Sequence, residues 1–116
     1  MPRDGTYLPP ETQTDRDLAV LRAAREGIAR PGGWCQGEMD KDDAHCAVGW
    51  LIHVSTDSLS QRAVDELIER TIHPAIPLSF RRTQGGAMTY NDTRRNQSTI
   101  VRWFDRAIAR LESKSP

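Results

Sequence analysis

Two cysteines, Cys35 and Cys46, and three histidines, His45, His53 and His73, supply every thiol and imidazole in this chain. Zinc sites draw on close pairs such as C-x2-C or H-x3-H, because only these bring two donors to one ion. On a helix through residues 44–54, His45 and His53 stand about 12 Å apart and Cys46 and His53 about 10.5 Å apart. Neither pair then shares an ion, and the expectation is no metal and no cofactor. A thiol nucleophile needs a base and an orienting group. Cys35, His45 and Asp92, with Asn91 beside the last, form the candidate catalytic set. The competing reading makes both thiols small core residues, a common fate for cysteine on an apolar helix.

Carboxylates crowd Glu38, Asp40, Asp42 and Asp43. A calcium loop opening at Asp40 would place His45 at the glycine position and Leu51 at the closing glutamate, so the pattern fails. The run fits the start of a helix, capped by Asp42 or Asp43 and favoured by the helix dipole. Arg81, Arg82, Arg94, Arg95, Arg102, Arg106 and Arg110 make the last third basic. Arginines 102, 106 and 110 fall at i, i+4 and i+8, one stripe able to follow phosphates. The plainer reading is a solvated face offset by Asp105 and Glu112. Asn91-Asp92 reads first as a tight turn, since both side chains bond their own backbone. A pocket, if formed, gathers Trp34, Gln36, His45, Asn91 and Asp92. The candidate binding residues are Trp34, Gln36, Asn91, Arg94, Arg95, Arg102 and Arg106.

These residues need helices to position them. Residues 1–13, with Pro2, Pro9 and Pro10, read as an N-terminal arm that is flexible or docked through Tyr7 and Leu8, and 14–116 as one helical domain. A first helix spans Asp15–Arg30, capped by Thr14, with Leu18, Leu21, Ala24 and Ile28 as its apolar stripe. Trp34–Met39 reads as a buried irregular segment or short strand. A second helix, Ala44–Val54, is apolar nearly all round and therefore central and buried. Gly49 weakens it by about 1 kcal/mol relative to alanine, which implies close approach by another backbone or by Trp34. The third starts near Leu59, capped by Ser58, and ends at His73-Pro74. Residues 74–95 read as a long loop or a short hairpin. The last helix spans Gln97–Glu112 with Asn96 as cap. The expected fold is all-α, one small domain of about four helices around the buried second one, with tryptophans 34, 50 and 103 sharing a cluster.

At 116 residues the chain suits one core without staples. Residues 1–69 carry 7 basic and 13 acidic groups, and residues 70–116 carry 9 and 3. Such asymmetry fits either a basic face or two halves that pack together. No run approaches a membrane span of ~18 apolar residues, and no apolar leader follows Met1. The expectation is a cytoplasmic protein with reduced thiols and no membrane partner.

Four segments carry a resemblance: Trp34-Cys35-Gln36-Gly37, Cys46-Ala47-Val48-Gly49-Trp50-Leu51, Tyr90-Asn91-Asp92, and Val101–Ile108 with Asp105-Arg106-Ala107-Ile108. In this order the chain resembles a small uncharacterised family of bacteria and bacteriophages, with W-C-x-G, C-x-x-G-A, W-N-D and D-R-A-I segments. The resemblance covers roughly residues 15–112, within an ordinary single-domain size. It departs at Tyr90, where tryptophan is usual, and at Arg94-Arg95-Asn96, where a Gly-Arg-Thr run is usual. It implies the helical fold and no activity. It suggests a phage or mobile-element accessory role by association. The function read from all this is a small non-enzymatic binding or accessory protein acting on a host macromolecule, a protein partner being the leading expectation. The alternatives are a small enzyme using Cys35, His45 and Asp92, and a nucleic-acid binder using the arginine face.

Overall fold

Helix α1, Gln13–Ala29, begins two residues before the expected Asp15. The hydroxyl of Thr12 accepts from the Asp15 N–H at 3.0 Å, and the Asp15 carboxylate accepts from the Thr12 N–H at 3.1 Å. This reciprocal capping box, rather than Thr14, sets the start. The computed structural model describes residues 11–55, 59–83, 86–93 and 96–114. Most of the expected arm lies outside them, and its last residue, Gln13, already belongs to α1.

The Asp40–Asp43 run is not the start of a helix. Strand β1, Asp40–Lys41, pairs antiparallel with β2, Ala44–His45, with Asp40 opposite His45 and Lys41 opposite Ala44. Asp42-Asp43 form the two-residue turn, and Asp42 takes φ 55. That left-handed conformation is tolerated better by aspartate than by most residues, and tight hairpin turns require it. Trp34 adds a single parallel bridge to His45, but residues 36–39 are exposed, so the segment expected to be buried is so only at Cys35 and in part at Trp34.

Because the hairpin uses Ala44 and His45, helix α2 spans only Ala47–Val54. Cys46 caps it, its sulfur accepting from the Gly49 N–H at 3.3 Å. Val48, Trp50 and Leu51 are buried, as expected of a central helix, while His53 is exposed. A Cβ on Gly49 would sit 2.6 Å from the Met39 carbonyl oxygen. The backbone approach expected there is therefore real, and it comes from Met39.

Helix α3, Gln61–Arg70, is capped by Ser60; the expected cap, Ser58, lies outside the described residues. A 3-10 turn at His73–Ala75 follows. The stretch expected as a loop or hairpin holds helices α4, Leu78–Thr83, and α5, Ala87–Thr93. Asn91 and Asp92 therefore lie inside a helix, not a turn. Helix α6, Gln97–Glu112, has the expected limits and the expected cap, Asn96 Oδ1 accepting from the Thr99 N–H at 2.9 Å. The protein is mostly helical, but with six α-helices and a small hairpin among the described residues rather than about four helices.

Helices α1 and α6 make the most extensive pairing, and α2 also packs on α1. Leu21, Ala24 and Ile28 meet a core that includes Ile100, Phe104 and Ala107, all shielded from water. Burying each large apolar side chain contributes about 1.5–3 kcal/mol. Arg22 meets Glu112 and Arg25 meets Asp105, so α1 and α6 run antiparallel. A Cβ on Gly27 would fall 2.3 Å from the Trp50 ring, and the indole Nε1 of Trp50 donates to the Gly33 carbonyl at 2.6 Å. As expected, Trp50 and Trp103 belong to one buried cluster and Trp34 packs against it, though their ring partners differ. Trp103 packs edge-on with Tyr90 and Phe104, while the ring neighbours of Trp50 are His45 and His53.

Candidate functional site

The residues singled out around Trp34 and Asn91 do converge, and Asn91 is their hub. It is fully buried on α5. Its Oδ1 accepts from Trp34 Nε1 at 2.8 Å and from the Ala47 N–H at 3.0 Å. Its Nδ2 donates to the Cys35 carbonyl at 3.4 Å and to Asp92 Oδ1 at 3.1 Å. Gln36 Nε2 donates to the Asn91 carbonyl at 3.0 Å, and the Gly37 N–H donates to Asp92 Oδ1 at 2.9 Å. Each partner meets a need. Ala47 opens α2, so its N–H lacks an intrahelical acceptor, and Asn91 supplies one from another helix. Gly37, at φ 82, turns its N–H toward the carboxylate. The set is a clasp that ties α5 to the hairpin segment and to the start of α2. The four hydrogen-bonding positions of the Asn91 amide are all occupied from within the protein.

Cys35, His45 and Asp92 are not assembled as a nucleophile, base and orienter. The backbones of Cys35 and His45 touch, the Cys35 N–H donating to the His45 carbonyl at 3.2 Å. The two residues, however, line different, adjoining recesses that share Pro31, Gly32, Asp42 and Asp43. One, of about 560 Å³, includes Trp34, Cys35, Gln36 and Lys41; the other, of about 500 Å³, includes Arg30, His45, Trp50 and His53. The Cys35 thiol donates to the Glu38 carbonyl at 3.3 Å. Burial, then the neighbouring Cys46 and the acidic Glu38 and Asp40, push its pKa up. Burial likewise raises Cys46. A reactive cysteine needs the opposite shift, since the thiolate is the nucleophile. Asp92 is engaged with Gly37 and Asn91.

The spacing argument that separated His45 from His53 is corrected. His45 precedes α2 on β2, and its ring stacks on His53 with centroids 4.5 Å apart. Trp50 packs edge-on against both, and Arg30 lies over the Trp50 ring at 5.2 Å. His45 Nδ1 also pairs with Asp40 across the hairpin. Among the described residues no group of three metal-capable side chains converges. The sequence hid this contact because the helical spacing was carried through residues that form a strand.

A third concavity, about 540 Å³, opens between α1 and α3. Its apolar wall includes Val20, Val54, Leu59 and Leu67, and the buried carboxylate of Asp17 meets Arg70 at 2.9 Å at its side.

Residues 12–110 match the family of unknown function DUF6197. The chain belongs to that family. Neither the curated proteins nor the solved structures contain a match. The DUF6197 region spans α1 through nearly all of α6, so the clasp and the arginine stripe both lie within it.

Within this DUF6197 domain the arginines are sorted by flank. Asp105 and Glu112, seven residues apart, share the flank of α6 that faces α1, where Arg25 and Arg22 neutralise them at 3.0 and 2.7 Å. Arg106 and Arg110 lie on the other flank, and Arg102, three residues before Asp105, sits between the two. Arg106 Nε donates to the Ala75 carbonyl at 3.3 Å and its Nη2 to the Tyr90 hydroxyl at 3.4 Å. Arg81 Nε donates to the next carbonyl, Ile76, at 3.2 Å, so α4 and α6 bring two guanidinium groups to adjacent peptide units. Among the described residues Arg81, Arg82, Arg102, Arg106 and Arg110 enter no ion pair. Arg94 and Arg95 lie outside the described residues. The expected offset by Asp105 and Glu112 is thus directed to α1; the i,i+7 spacing of those two acids was the sequence signal for it. No helix among the described residues is long and apolar enough to cross a membrane.

Proposed function

We propose that this DUF6197 member is a small non-enzymatic binding protein that engages an anionic macromolecule through the arginine flank of α6 and the adjoining end of α4. One observation carries this reading: the acids of α6 are neutralised on the α1 side, leaving the basic stripe with no carboxylate partner among the described residues. The opposed reading, an enzyme using Cys35, His45 and Asp92, loses support from the raised thiol pKa, from the thiol's bond to the Glu38 carbonyl and from the engagement of Asp92 with Gly37 and Asn91. The likeness of its four motifs to bacterial and phage proteins favours an accessory role in such a genome, acting on a host macromolecule. The reading places the protein in the cytoplasm, where the free thiols of Cys35 and Cys46 stay reduced.

Chromatography on heparin, a generic polyanion, tests the proposal. The protein is expected to be retained at low ionic strength and released by salt. Reversing Arg102 and Arg110 to glutamate should abolish retention, whereas reversing Arg22 and Arg25 on the other flank should weaken it far less. Equal effects of the two pairs would sink the proposal.

A further inference from the structure

Resting on the binding reading above, we propose that the arginine flank holds the phosphate backbone of duplex nucleic acid and does so without reading base sequence. Arg102, Arg106 and Arg110 repeat every four residues, so adjacent members are about 6 Å apart along the helix axis. The two inner guanidinium groups are held before any ligand arrives. Arg106 is anchored on Ala75 and Tyr90, and Arg81 on Ile76. A guanidinium has five N–H donors, so each retains several beyond these bonds. Pre-ordering of this kind lowers the side-chain entropy lost on binding.

The rest of the flank is chemically suited to phosphate and poorly suited to a protein. Ser98 and Thr99 stand at one end of the arginine row and Ser113 at the other, and hydroxyls with guanidinium groups are the usual phosphate contacts. The Arg102 guanidinium already rests on Ser98 Oγ and Thr99 Oγ1, at 3.5 and 3.4 Å. Protein interfaces gain most of their affinity from buried aromatic or apolar anchors. The exposed large hydrophobic residues among those described are Met39, Leu78 and Met88, and none is on α6. Positions 98, 99, 102, 106, 109, 110 and 113 carry no asparagine or glutamine, the side chains that pair with adenine edges. Arginine can also pair with guanine edges, so the anchoring of Arg106 and Arg81 on the protein's own carbonyls is what favours phosphate contacts here.

Fluorescence anisotropy with a labelled DNA duplex of arbitrary sequence, about two helical turns long, tests this against salt. If Arg81, Arg102, Arg106 and Arg110 each neutralise one phosphate, the log–log salt slope is about −3 to −4. Affinity then falls on the order of 100-fold between about 50 and 200 mM salt. Arg102→Gln and Arg110→Gln should each reduce the slope by about 1, while Arg22→Gln should leave it unchanged. A second duplex of unrelated sequence should bind equally well. Arg102 is exposed and its replacement leaves the core intact, which thermal unfolding of that variant verifies. Heparin retention lost through arginine reversal, with no duplex binding at low salt, overturns the nucleic-acid inference and leaves the anionic-partner reading standing. An unaltered protein that neither is retained on heparin nor binds the duplex at low salt overturns both. Duplex binding with a slope indifferent to Arg102 and Arg110 overturns the assignment to this flank.

Discussion

Replacing Asn91 with alanine is the most direct test of the clasp. The substitution removes the acceptor for two N–H groups, Trp34 Nε1 and the Ala47 backbone. Ala47 is shielded from water, so its orphaned N–H finds no replacement. Leaving a buried donor unsatisfied costs about 1–3 kcal/mol. Adding the weaker loss at half-buried Trp34 and the missing amide volume gives about 3–5 kcal/mol, against a total domain stability of roughly 5–15 kcal/mol. The melting temperature should fall by roughly 10–20 °C for a chain of this size. Urea unfolding followed by tryptophan fluorescence and circular dichroism measures this. Trp34→Phe should cost about 1 kcal/mol alone, and the double variant should lose less than the sum, because both changes break one bond. Asn91→Asp retains the shape but sets a carboxylate against Asp92 and the Cys35 carbonyl. Burial raises the pKa of such a group, so that variant should regain stability as pH falls through the carboxylate range. An Asn91→Ala protein within about 1 kcal/mol of the parent, or one additive with Trp34→Phe, would refute the clasp as a source of stability.

Further outcomes follow from the same packing. Gly49→Ala should destabilise by about 2 kcal/mol despite better helix propensity, because the new methyl meets the Met39 carbonyl, itself held by the Cys46 N–H at 2.9 Å; stabilisation in urea would show that the carbonyl can move. Arg70→Met should cost about 1–3 kcal/mol, reduced by the partial exposure of Arg70 but raised by the buried Asp17 charge it abandons; a neutral result by thermal unfolding contradicts that. Iodoacetamide should modify neither Cys35 nor Cys46 at neutral pH until denaturant is added, by mass spectrometry. Because both folded thiols have raised pKa values, the native state holds its thiol protons longer than the unfolded chain. Stability should therefore be indifferent to these groups at neutral pH and decline as pH rises past the ordinary thiol value of about 8.5.

What the sequence revealed was what is decided locally. Helix α6 was legible to the residue because Asn96 caps it from the adjacent position and its apolar stripe is unbroken. The burial of Val48, Trp50 and Leu51 was legible because their segment has almost no polar face. The start of α1 was misjudged because aspartate at Asp15 closed the capping box where glutamate or glutamine is the familiar signal. The hairpin was missed because Asp40–Asp43 suits a helix dipole as well as a tight turn, and cross-strand pairing decides between them. Asn91-Asp92 shows the same conflict with larger consequences. Their turn preference is overridden by acceptors and donors about fifty-five residues away in sequence, on Trp34, Gln36 and Gly37. Trp34, Gln36, Asn91 and Asp92 do meet in space, but as bonds that join α5 to the hairpin segment, a use invisible without three dimensions.

The pairing of α1 with α6 also governs how the protein can be made. Helix α1 leaves the ribosome before α6 and, with α2 as its nearer partner, keeps part of its Leu21, Ala24 and Ile28 stripe uncovered until α6 has been synthesised. Closure across so long an intervening chain is entropically expensive and tends to slow folding. Meanwhile the nascent polypeptide carries an adhesive stripe that chaperones or neighbouring chains can capture. Truncations that remove α6 should therefore yield inclusion bodies, not a smaller folded core.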